Sequence, residues 1–76
     1  MLYRLDRLTQ AGTFPVCDLL GPVLLSRYAV ARSLALTEAR NDPDGCVQIM
    51  RIGTSGQLST AADVYPDGKV VRHAAR

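Results

Sequence analysis

Tryptophan is absent from this chain, and its aromatic residues are few: Tyr3, Phe14, Tyr28 and Tyr65. A sheet that reads single-stranded RNA stacks bases on aromatic side chains in its central strands. None of the four lies in Cys46–Ile52, the run with the strongest central-strand character, so base stacking does not fit. Histidine occurs once, at His73, and cysteine twice, at Cys17 and Cys46, with no CxxC. That set falls short of a zinc site. No metal and no cofactor are expected. The phosphate-loop, dinucleotide and HExxH motifs are also missing. Nucleophilic chemistry would need a cysteine with an activating base, or His73 held against Asp6 or Asp63 on a neighbouring strand. Cys46 opens an apolar strand and His73 sits near the C-terminus, so an enzyme is not expected. No apolar run reaches the roughly eighteen residues of a spanning helix, and no membrane association is expected. Arg4, Asp6 and Arg7 stand where a signal peptide would be apolar. The expectation is therefore a cytoplasmic protein with reduced cysteines.

What remains is a chain of 76 residues with an ordinary apolar content of 47%. It reads as one domain, residues 1–76, with a thin core. Eight arginines and one lysine give a net charge of +2. The arginine excess has two readings: planar recognition of phosphate or carboxylate, or the codon bias of a GC-rich genome.

The stretch LYRLDRL alternates imperfectly and suits a strand. Residues Phe14 to Leu20, between Gly12 and Gly21, read either as a second short strand or as an irregular packed segment. The spacing of Val30, Ala31, Leu34 and Ala35 then predicts a helix, with Ser26 as its N-cap. Asn41-Asp42-Pro43-Asp44-Gly45 ends it. CVQIMRI reads as a central strand, GTSG as a turn, and QLSTAADV as a strand with Leu58, Ala62 and Val64 on one side. Pro66-Asp67-Gly68 is hairpin chemistry leading into KVVRH. The expected fold class is α+β. A single helix lies on one face of a small antiparallel sheet, in the order β-α-β-β-β with an optional extra strand before the helix.

In CVQIMRI, Cys46, Gln48, Met50 and Ile52 share one face and Val47, Ile49 and Arg51 the other. With the helix over the first set, Val47 and Ile49 are expected on the open face, joined by Arg4, Arg51 and Arg72. These five residues are the candidate partner-binding site. Apolar groups beside arginines are a common interface composition. A homodimer, or the segment from Phe14 to Leu20, is the alternative cover for that face.

The helix LLSRYAVARSLALTEAR, the strand CVQIMRI, the glycine turn and ADVYPDGKVV together resemble small anti-CRISPR proteins of the type I inhibitor kind. These are compact inhibitors encoded by phages or mobile elements. The likeness spans residues 22–73 and is one of layout. It implies a non-enzymatic inhibitor that binds a CRISPR effector subunit and blocks DNA recognition or nuclease recruitment. The slightly basic charge departs from the acidic DNA mimics among such inhibitors. The alternative function is a small regulatory or accessory protein that binds nucleic acid through a basic sheet surface.

Overall fold

Alternation along β1 (Leu2–Thr9) sends Tyr3, Leu5 and Arg7 to one side of the strand and Leu2, Arg4, Asp6 and Leu8 to the other. A computed structural model, which describes residues 1–73, shows what each side meets. After β1 come β2 (Gly12–Pro15), β3 (Cys17–Asp18), β4 (Gly21–Pro22) and β5 (Leu24–Leu25). The helix α1 (Tyr28–Ala39) precedes β6 (Cys46–Ile52), β7 (Leu58–Val64) and β8 (Val70–Arg72). The main sheet is antiparallel in the order β2-β1-β6-β7-β8. One helix packs on one of its faces, so the class is α+β and the last three strands form a meander.

The outer edge of β1 is shared. β2 pairs with its second half and β5 with Tyr3 and Arg4. Between them the chain leaves the sheet as the small β3–β4 hairpin. Its base is fastened where the Val16 N–H donates to the Leu5 carbonyl at 2.8 Å and the Val23 N–H to the Val16 carbonyl at 3.0 Å. The segment from Phe14 to Leu20 is thus part strand and part projecting turn.

The two meander hairpins are built alike. Gly56 donates to the Gly53 carbonyl and Gly68 to the Tyr65 carbonyl, each at 3.0 Å, with φ of 83° and 94° at the two donor glycines. A residue with a Cβ is strained there, which explains glycine at both. Asp67 supports the second turn by accepting from the Lys69 N–H at 2.9 Å.

Helix α1 presents Ala31, Ala35 and Ala39 as one buried stripe against β1, β6 and β7. Methyl side chains let the helix approach the sheet closely. Beneath the stripe lie Leu5, Val47, Ile49 and Val64, all fully buried, each contributing about 1.5–3 kcal/mol by leaving water. Ala61 and Ala62 are both buried as well.

Four expectations are corrected. The N-cap is Arg27, with extended backbone and no side-chain cap, so Ser26 lies one residue too early to reach the first turn. Val30 is half exposed, and Ala39 takes its place on the stripe. Val47 and Ile49 are 1% and 0% exposed, because the helix covers their face of β6 and not the face of Cys46 and Met50. Leu58 does not share a side with Ala62 and Val64. The ladder to β6 skips Ala61, a β-bulge that reverses the alternation, so Leu58 pairs with Ile52 on the opposite face.

A candidate interaction surface

The face away from the helix has no second layer among the described residues. Register arranges it in four rows. The first holds Leu2, Ile52 and Leu58; the second, Arg4, Met50 and Thr60. The third holds Asp6, Gln48, Asp63 and Val71; the fourth, Leu8 and Cys46, with Tyr65 following at the end of β7. Contacts within the rows agree: the Thr60 hydroxyl lies 3.7 Å from Met50 Sδ.

The charges of this face are paired. Arg4 grips Asp6 with two parallel hydrogen bonds, Nε to Oδ1 at 3.1 Å and Nη2 to Oδ2 at 3.0 Å. On the other flank His73 Nε2 lies 3.0 Å from Asp63 Oδ2. The rows on either side are apolar. Leu2, Leu58, Tyr65 and Val71 are substantially exposed. At the end of Leu8, Cys46, Tyr65 and Val71 these residues, with Pro43, Pro66 and Lys69, line an open depression of about 710 Å³.

Cys46 lines that depression. Burial, and secondarily the carboxylate of Asp63, pushes its thiol pKa up. Thiolate catalysis needs the opposite direction. Both cysteines are free, and Cys17, on the β3–β4 hairpin, is exposed. Among the described residues no three His, Cys, Asp or Glu side chains gather as a metal site, and no helix is long and apolar enough to cross a membrane.

The expected site does not assemble. Val47 and Ile49 are core. Of the three arginines, only Arg4 reaches the open face, where Asp6 occupies it. Arg51 and Arg72 lie on the helix side. Arg51 bonds the Ser59 hydroxyl at 3.3 Å and the His73 carbonyl at 3.4 Å. Arg72 stacks on the Tyr28 ring at 4.4 Å, beside the edge-to-face pair of Tyr28 and Tyr3. The structure therefore forms no basic sheet surface from these arginines.

A second apolar feature was not anticipated. Leu19 and Leu20 form the tip of the β3–β4 hairpin and are 104% and 98% exposed. Asp18 Oδ1 accepts from the Leu20 N–H at 2.8 Å, and Gly21 takes a φ of 127°, so the tip is a defined turn. Its signal was the DLLG tetrapeptide: a turn-forming Asp and a Gly framing two residues. Apolarity hid it, because leucines read as core.

No family model, curated protein or solved structure matches the chain.

Proposed function

We propose that this chain is a non-enzymatic protein-binding module whose docking element is the Leu19–Leu20 hairpin. By likeness of layout, its proposed partner is a CRISPR effector subunit that it inhibits stoichiometrically. The observation that carries the docking reading is the pair of adjacent, fully exposed leucines on an anchored turn. Neither leucine packs on its own fold, yet the backbone around them is held by hydrogen bonds at tip and base. A turn already shaped loses little freedom on binding. Burying both side chains in an apolar cleft yields about 3–6 kcal/mol before association costs.

The surrounding charge supports protein as the partner class. Between Arg7 and Arg27 the only charged residue is Asp18. Anionic lipid surfaces and nucleic acids are both held by lysine and arginine, and this segment has neither.

The test is a photo-crosslinking residue at position 20, in cells that express a candidate effector complex. The expected result is a covalent adduct with an effector subunit, lost in the Leu19→Asp/Leu20→Asp variant together with inhibition. That variant should melt like wild type, since the two leucines have no folded contacts to lose. An adduct with a different protein would remove the effector while keeping the docking element. Crosslinking only to nucleic acid, or full binding by the double variant, would sink the hairpin reading.

A further inference from the structure

The open sheet face is self-complementary in three respects: charge, shape and area. The second row carries Arg4, and the third carries Asp6 two residues further along the same strand, only 6% exposed and paired to Arg4 within its own chain. On the far side the His73 imidazole is displaced from the Asp63 carboxylate in the same direction. We infer that this face is the interface of a homodimer, packed against a second copy about a two-fold axis lying across the strands between the second and third rows.

Such an axis reverses the strand direction and keeps each strand over its own counterpart. Arg4 of one copy then stands over Asp6 of the other, and Met50 over Gln48. The outer rows exchange as well. Leu2, Ile52 and Leu58 of one copy meet the row of Leu8, Cys46 and Tyr65 of the other. Leu2 and Leu58 project, 43% and 46% exposed, whereas the opposite end holds the depression over Cys46 and Tyr65. Projecting side chains thus face a hollow. The resulting strands are aligned and antiparallel between layers, the arrangement in which two twisted sheets pack at about 30°.

The area suffices. Four rows at about 6.8 Å, across four to five strands at about 4.8 Å, cover roughly 500–650 Å² per copy. The total of roughly 1,000–1,300 Å² exceeds most lattice contacts and enters the range of specific interfaces. A partner of another kind would need to match the row of Arg4 against the row of Asp6 and Asp63, which a second copy supplies by symmetry.

This inference rests on the sheet face alone and is independent of the hairpin reading. Light scattering or sedimentation on the wild-type chain, at concentrations on the order of 100 µM, should give twice the 8.2 kDa chain mass. Leu58→Glu places a carboxylate against the partner's Tyr65 row and should weaken association about a hundredfold or more, with an unchanged circular dichroism spectrum. The exchange Arg4→Asp/Asp6→Arg keeps the pair within each chain. It should self-associate but not mix with wild type, because arginine would then face arginine. A monomeric wild type would overturn the proposal, as would Leu58→Glu retaining the dimer mass. Free mixing of a folded exchange variant with wild type would overturn the placement of the axis. Protection of the face from hydrogen exchange only on adding another protein would assign it to that protein instead.

Discussion

Cys17 and Cys46 share one chemistry and differ in setting. Cys17 stands on an exposed hairpin, while Cys46 is half covered beside Asp63, with its thiol held above its ordinary pKa by burial and by that carboxylate. Alkylation requires the thiolate and access to it. Limiting iodoacetamide at neutral pH should therefore modify Cys17 first, and peptide mapping should find Cys46 largely unlabelled until the chain is unfolded. Equal labelling would mean that neither its partial burial nor the Asp63 carboxylate protects the Cys46 thiol. Turn residues were the most legible single positions in the sequence. Gly56 and Gly68 announce their role because a required positive φ leaves few alternatives to glycine. Gly45 was legible only as part of a helix stop. Its further reason is tertiary, since a Cβ there would lie 2.6 Å from the Leu8 carbonyl oxygen, and no local pattern encodes that approach.

At the scale of elements, strand and helix identities follow from periodicity, but the choice of buried face does not. Both sides of β6 are apolar, with Val47 and Ile49 on one and Cys46, Met50 and Ile52 on the other. Alternation alone cannot say which meets the helix. The bulge at Ala61 adds a second ambiguity, because two adjacent alanines fit either phase and hide the reversal that turns Leu58 outward. The helix start was misplaced by one residue for a related reason: Ser26 has the better capping side chain, yet Arg27 has the capping backbone, at φ −119° and ψ 128°. α1 therefore begins with no side-chain cap and no acidic residue in its first turn. Arg27→Asp supplies both an acceptor for a free N–H and a negative charge at the positive end of the helix. It should raise stability by about 1 kcal/mol in a denaturant melt. Ser26→Ala should be neutral to within about 0.5 kcal/mol. A destabilised Ser26→Ala together with a neutral Arg27→Asp would move the helix boundary back to Ser26.

At the scale of the whole molecule, five of the ten buried core residues among the described residues are alanines, so close approach replaces bulk. A chain this short with so thin a core has little stability in reserve. The sheet face that the helix leaves uncovered keeps an apolar row at each end, Leu2, Ile52 and Leu58 at one and Leu8, Cys46 and Tyr65 at the other. Covering it with a second copy would link folding to association, and would set two leucine-tipped hairpins on one particle. That linkage has a thermodynamic signature. If unfolding requires the dimer to separate, each tenfold rise in protein concentration adds about 1.4 kcal/mol per dimer, or about 0.7 kcal/mol per chain. For a domain of this size, the melting midpoint should rise by about 3–6 °C per tenfold concentration. Leu58→Glu should melt at a midpoint independent of concentration, because only the shared face has been altered. Wild-type midpoints that stay constant over two decades of concentration would show that the fold stands without its neighbour. The uncovered sheet would then contribute nothing to the stability of the chain.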